Sequence, residues 1–331
     1  MLVVEAKSFG DPDVLIPREV PDPVVEAGEV VIDVAAADVM FLDARLRSGW
    51  GTDFFPVHPP YVPGGAVAGT VSAVGEGVDP EWVGKRVASA TAASGVGGGL
   101  PIGGYAERAT AKVDTLTELA DGLDFVRAAA LVHDGRTAMA VHENARVRPD
   151  ESVLITAAGG GLGTLLTQLA HASGARVIAA AHGQTKLDLA RRLGADAAID
   201  YEDPGWADQV LESTGGSGVA AVLDGAGGRI GRDALGVVAP GGRYLGYGNA
   251  AGGFAEPDTE YAAAAGVTIL SLIDITNSGV DWRALAARAF ASAAAGDLEV
   301  VVGQTFPLPE AAAAHAAIDQ RRAVGRTILT V

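Results

Sequence analysis

The stretch ITAAGGGLGTLLTQLA, Ile155–Ala170, decides the fold. An apolar run ends in three consecutive glycines, and helix-period residues follow to about Ala172. This reads as a strand, a tight turn and a helix whose first backbone amides stay free to hold a phosphate. No Gly-x-Gly-x-x-Gly can be laid across it. Ala157, Gly160 and Gly163 instead give Ala-x-x-Gly-x-x-Gly. The physics is the same: absent side chains let the backbone approach a pyrophosphate, and the helix N-terminus adds the positive end of its dipole. The bland alternative is a turn that binds nothing. The context favours binding, because this is the first strand and first helix of an alternating region.

That alternation runs outward from the turn. SVLITAA (Ser152–Ala158), ARVIAAA (Ala175–Ala181), ADAAIDY (Ala195–Tyr201), GVAAVLDGA (Gly218–Ala226), GGRYLGYG (Gly241–Gly248) and GVTILSLI (Gly266–Ile273) are six strand candidates. Most alternate with helices such as TKLDLARRLG, which implies a parallel, doubly wound α/β sheet. The first 115 or so residues differ in texture. EVVIDVAAA (Glu29–Ala37), AVAGTVSAVG (Ala66–Gly75) and KRVASATA (Lys85–Ala92) are short strands between Gly, Pro and Asp. ASGVGGGLPIGGYAE (Ala93–Glu107) reads as a flexible glycine-rich surface connection. The tail returns to strand, helix, strand and completes the first domain. The expected divisions are 1–122, 123–273 and a return over 274–331.

Composition narrows the function. Apolar residues make up 49% and charged residues 20% of 331, so the chain is globular. A net charge of −17 argues against nucleic acid as a partner. With no cysteine, disulfides, thiolate catalysis and Cys-ligated zinc are excluded. MLVVEAKSFG lacks the pattern of a signal peptide, and no apolar run approaches the roughly 20 residues of a membrane helix. A soluble cytoplasmic protein with no membrane partner is expected. His58, His133, His142, His171, His182 and His315 show no metal-ligand spacing. No Gly-x-Ser-x-Gly elbow or Gly-x-x-x-x-Gly-Lys-Ser/Thr loop is present, nor a Tyr followed four positions later by Lys.

The second strand of the alternating region ends VIAAAHGQTK, with no acid from Val177 to Lys186. An NAD enzyme usually places Asp or Glu there to accept from the ribose 2′-hydroxyl. Its absence removes a repulsion against a 2′-phosphate, and Lys186 and His182 offer positive or donor groups. Lys186 reads equally as a solvated first-turn lysine. NADPH is favoured over NADH.

Further segments are VPGGAVAGTVSAVGEGV (Val62–Val78), GGYAERATA (Gly103–Ala111), AAALVHDGRTA (Ala128–Ala138), LARRLGADAAIDY (Leu189–Tyr201) and VGRTILTV (Val324–Val331). With the glycine turn, their order and spacing resemble the medium-chain dehydrogenase/reductase superfamily, and within it the zinc-independent quinone oxidoreductase (zeta-crystallin-like) family. The resemblance covers essentially the whole chain. It implies a Rossmann six-stranded NADPH-binding domain at 123–273 and a GroES-like, mainly β catalytic domain from 1–122 and 274–331. It also implies a homodimer, formed through the sheet edge around GVTILSLI.

Carried over by resemblance, Ala158, Gly160, Gly161, Leu162 and Gly163 hold the pyrophosphate. Lys186 meets the 2′-phosphate, beside His182, and Tyr201 lies by the adenosine end. Thr137 approaches the nicotinamide half, Gly248 and Asn249 form a turn passing the cofactor, and Arg326 approaches it from the C-terminus. Tyr201 as sheet-edge packing and Arg326 as a surface arginine are the plain alternatives. Zinc-dependent relatives carry a His-Glu pair after Pro-Gly, whereas Pro63-Gly64 precedes Gly65-Ala66 here.

One departure concerns the substrate pocket. The family often has Asn-Phe-x-Asp where this chain has Met40-Phe41-Leu42-Asp43. Met cannot donate the expected amide hydrogen bond. Met40, Asp43 and Tyr61 are the pocket candidates, with Arg45 and Trp50 nearby. Asp43 reads alternatively as a turn or ion-pair residue and Tyr61 as a packing residue. Three functions follow: an NADPH-dependent quinone or enone reductase, an enoyl-thioester reductase or tailoring enzyme of secondary metabolism, and an NADPH-binding protein without turnover.

Overall fold

The computed structural model describes residues 1–94 and 100–331. The chain forms two compact units, one of residues 1–133 and 286–331, the other of residues 134–285.

The first unit opens with an antiparallel pair, β1 (Leu2–Ala6) and β2 (Leu15–Glu19). Its sheet is built from β3 (Glu29–Val39), β4 (Ala66–Val74), β5 (Arg86–Ala90), β6 (Arg108–Lys112) and β7 (Thr117–Glu118). The helix α1 (Phe41–Arg47) follows β3, and α2 (Phe125–Ala145) leads out of the unit. The second unit contains β8 (Ser152–Thr156), α3 (Gly161–Ala172), β9 (Arg176–Ala181), α4 (Gln184–Arg192), β10 (Ala197–Asp200) and α5 (Trp206–Ser213). It continues with β11 (Val219–Asp224), α6 (Gly228–Leu235), β12 (Val238–Gly246), α7 (Thr259–Ala265), β13 (Thr268–Ser271) and α8 (Leu272–Thr276). α9 (Trp282–Ala295) carries the chain back to the first unit, where β14 (Val302–Pro307), α10 (Ala311–Asp319) and β15 (Arg326–Thr330) end it.

In the first unit, the eleven-residue β3 organises the sheet. One edge pairs with β4, with two register shifts that twist the pair. The other edge is shared: Glu29–Asp33 pair with β6, and Ala36–Val39 pair with β15 from the tail. Val30, Ile32, Val34, Val67, Val71 and Leu329 are buried in one apolar cluster with Leu46, Leu308 and Ile318. β-branched residues at every second position of β3 supply that face.

The glycine-rich stretch is corrected in part. Residues 95–99 lie outside the described residues. Residues 100–107 are not a surface connection, since Tyr105 and Ala106 are fully buried. The Tyr105 carbonyl accepts from the Val4 N–H at 2.8 Å, and the Gly103 N–H donates to Val62 at 2.7 Å. A Cβ on Gly64 would sit 2.5 Å from the Tyr105 ring, so neighbouring glycine makes room for a large side chain and not for flexibility.

The second unit has a six-stranded parallel sheet in the order β10-β9-β8-β11-β12-β13. The order reverses between β8 and β11, the place where doubly wound sheets bind ligands. Strands β8 and β9 are buried almost throughout, as helix cover on both faces requires. Leu154, Ile178, Val222, Trp206, Ile230 and Tyr244 belong to one core cluster. The last strand is shorter than GVTILSLI suggests. Ser271 accepts from the Asp274 N–H at 3.2 Å while the Asp274 carboxylate takes the Ser271 N–H at 2.8 Å. This capping box turns Leu272 and Ile273 into helix. No helix among the described residues is long and apolar enough to cross a membrane.

Candidate functional site

The turn after β8 and the start of α3 carry five of the second unit's eleven candidates. Ala157, the first residue of the Ala-x-x-Gly-x-x-Gly variant, takes φ +51° and so bears the left-handed strain itself. The Gly160 N–H donates to the Ala157 carbonyl at 3.0 Å, and α3 starts at Gly161. A Cβ on Gly163 would lie 2.4 Å from the Ala157 carbonyl, so only glycine lets the helix press on the turn. Gly161, Leu162 and Gly163 occupy the first turn of α3, where amides have no partner within the helix. Ala158 is fully buried beneath them.

Gly159 brings in the cation. A Cβ there would lie 2.6 Å from the Cβ and Cγ of Lys186, so the lysine stem lies on the turn. Lys186 stands in the first turn of α4, with its N–H on the Gly183 carbonyl at 3.1 Å. The next strand adds an acid. Asp200 ends β10 opposite Ala181, accepts the Gly183 N–H at 2.9 Å and lies 3.2 Å from His182 Nδ1. Burial acts to raise its carboxyl, but the Gly183 and Glu202 amides and His182 outweigh this and hold it below the usual range. Tyr201 follows, half-buried against the core cluster.

Gly248 and Asn249 follow β12. A Cβ on Gly248 would meet the Gly225 carbonyl at 2.3 Å, which fixes this turn against the one after β11. Asp224, fully buried, holds the latter: it accepts from Thr156 Oγ1 and Tyr244 Oη at 2.5 Å and from the Ala226 and Gly227 amides at 3.1 Å. Thr137 lies half-buried on α2. The glycine turn, His182, Lys186, Tyr201, Gly248 and Asn249 thus all follow C-terminal ends of the parallel strands.

In the first unit, Met40, Asp43 and Tyr61 belong to a buried polar cluster. Asp43 Oδ2 accepts the Met40 N–H at 2.9 Å and the Tyr105 hydroxyl at 3.3 Å, while Oδ1 makes no hydrogen bond. Burial, opposed by the Met40 amide, pushes the Asp43 carboxyl up to about 7. The Tyr61 hydroxyl is also buried without a hydrogen bond, and burial with the nearby Asp43 charge raises its pKa. Arg45 stacks over the Trp50 ring, 4.9 Å from its centroid.

His315 joins this cluster, although its sequence offers no signal beyond a lone histidine in an alanine-rich helix. Arg47 Nε donates to its Nδ1 at 3.2 Å. A guanidinium has only donors, so Nδ1 must accept and Nε2 carries the hydrogen. Nε2 then donates to Tyr105 Oη at 2.9 Å, and Tyr105 donates to Asp43. Burial, with the Arg47 charge, lowers the His315 pKa to about 3 and keeps the ring neutral. Arg47 is itself held by the Gly10 carbonyl and Asp319, both at 2.6 Å. Arg326 lies on β15 and pairs through both arms of its fork with buried Asp38. Sequence reasoning missed Tyr105, His315, Arg47, Asp200 and Asp224, because each depends on partners distant in the chain, from Gly183, 17 residues before Asp200, to Asp319, 272 residues after Arg47.

Comparison with known proteins gives the same picture. Residues 26–121 match the alcohol dehydrogenase GroES-like domain, and residues 161–290 match the family described as zinc-binding dehydrogenase. A quinone oxidoreductase of Pseudomonas aeruginosa is 32% identical across 98% of both chains. A 2-haloacrylate reductase of a Burkholderia species is 32% identical over 97% of this chain and 96% of its own. Among solved structures, a mycobacterial protein in complex with NADPH superposes with a TM-score of 0.88 at 34% identity, covering all of both chains. The Escherichia coli quinone oxidoreductase complexed with NADPH gives 0.88 at 26% identity, with the same coverage. The chain belongs to the quinone oxidoreductase (zeta-crystallin-like) family of the medium-chain dehydrogenase/reductase superfamily.

Proposed function

We propose that this oxidoreductase uses NADPH to reduce a quinone or an α,β-unsaturated carbonyl without a metal. The observation that carries the reading is the Lys186 stem laid on Gly159 beside the open first turn of α3. That cradle, which a side chain at Gly159 or Gly163 would fill, suits a pyrophosphate with a further phosphate close by. Its relatives include proteins named for quinone and 2-haloacrylate reduction, both conjugated acceptors. When bound, reduced nicotinamide supplies a hydride for the acceptor's β-carbon. Gly65 and Ala66, after Pro63-Gly64, carry no metal-binding atoms in their side chains, so the developing enolate needs hydrogen-bond donors.

Met40 cannot be that donor, because its side chain lacks an N–H and its backbone N–H is committed to Asp43. Tyr61 fits better, with a buried hydroxyl that makes no hydrogen bond within the protein. In this reading Tyr61 donates to the substrate oxygen, and Arg326, engaged by Asp38, serves structure before cofactor. A homodimer joined at the outer edge of β13, the last strand of its sheet among the described residues, completes the proposal. Consumption of NADPH, followed by absorbance against a panel of quinones, alkenals, 2-haloacrylates and enoyl thioesters, tests it. Turnover of quinones or enones is expected. NADPH binding without turnover of any substrate would sink the enzymatic reading, and thioester preference would move the substrate class.

A further inference from the structure

The cofactor preference read from β9 rests on a missing acid, yet the fold supplies one from the neighbouring strand. We propose that Asp200 is a selectivity residue that holds down the preference for NADPH over NADH, with His182 offsetting it. The inference rests on the dinucleotide reading of the same turn.

Gly183 links the opposing charges. Its N–H donates to Asp200 Oδ2 at 2.9 Å, and its carbonyl accepts the Lys186 N–H at 3.1 Å. A carboxylate and an ammonium-bearing residue are therefore both anchored to the backbone of one residue just past the end of β9, where the ribose acid of an NAD enzyme belongs. Asp200 is four-fifths buried at its side chain, while His182 is largely exposed at 3.2 Å from it. Asp200 Oδ1 also takes the Glu202 N–H at 3.0 Å, so the carboxylate is held by backbone and does not swing away. A fixed carboxylate accepts a hydrogen bond from a ribose 2′-hydroxyl and repels a 2′-phosphate. Lys186 does the reverse. His182, as a partner of Asp200, spreads the negative charge and lessens the repulsion. The result is a corner tolerant of both cofactors.

Dissociation constants of the full-length protein for NADPH and NADH, from fluorescence titration, test this. Asp200→Asn keeps the shape and one acceptor oxygen while removing the charge. It is expected to raise the NADPH-to-NADH affinity ratio by about tenfold or more, the size of a neighbouring-charge effect. His182→Ala, at an exposed position, is expected to lower the ratio about threefold, and it carries the test if Asp200→Asn does not fold. A folded Asp200→Asn protein, checked by circular dichroism, with an unchanged ratio overturns the role of Asp200 and leaves the dinucleotide reading intact. An unchanged ratio in His182→Ala overturns the offset. Failure of the unmodified protein to bind either nucleotide overturns the dinucleotide reading, and this inference with it.

Discussion

At the scale of single residues, the two buried groups Asp43 and His315 pull stability in opposite directions. The Asp43 pKa is raised from its ordinary 3.8 to about 7, so the folded state retains a proton that the unfolded state gives up. Its contribution is fully present below 3.8 and is lost as pH rises through 7. The His315 pKa is lowered from 6.5 to about 3, so its contribution is present above 6.5 and is lost as pH falls through 3. Where the windows overlap, the slopes offset each other. Asp43→Asn is expected to leave a stability that rises with pH in the overlap, at up to about 1.4 kcal/mol per pH unit. His315→Gln is expected to leave one that falls, and urea midpoints across pH would show either. Identical slopes in both variants would refute the pairing. Ala157→Gly, which relieves a left-handed alanine, should stabilise the fold by about 1 kcal/mol in the same assay. Ala157 was legible in the sequence as a variant fingerprint position. The buried acid was not, because Asp43 depends on Tyr105, 62 residues along the chain.

At the scale of elements, periodicity and turn residues made most strands readable. β8, β9 and β11 are mainly apolar and almost wholly buried by helix cover, and β9, β10 and β11 end in Ala181, Asp200 and Asp224, where the chain turns. GVTILSLI was read too long for a reason also in the sequence: Ser271-Leu272-Ile273-Asp274 is a capping pattern inside an apolar run. The GGYAE stretch misled in the other direction, since glycine counts suggested mobility where a tyrosine needed space. β13, short as it is, leaves its outer edge unpaired among the described residues. Such an edge invites a partner strand. Light scattering should give the mass of a dimer, and Ile269→Pro, which removes a backbone donor from that strand, should shift the mass toward a monomer. A monomeric unmodified protein would remove the dimer from the proposal.

At the scale of the whole molecule, the net charge of −17 opposes an anionic cofactor at long range, while Lys186 attracts it only locally. Salt screens the first over about 8 Å at physiological strength. Association with NADPH, followed by stopped flow, should therefore quicken as salt rises from low levels, the reverse of a steered encounter. The first unit depends on its tail in a different way. Arg326 comes from β15 to meet an Asp38 that is wholly buried, so Arg326→Ala should cost about 3–5 kcal/mol by removing the forked cation that faces that carboxylate. A denaturant midpoint close to that of the parent would contradict this. The shared edge of β3 also sets an order in time. Residues 134–285 leave the ribosome as one continuous unit, ready to fold as they emerge. Ala36–Val39, synthesised long before, must wait nearly three hundred residues for the strand that completes their ladder. The first unit to be made is thus the last to be finished, and its open edge needs shelter during synthesis.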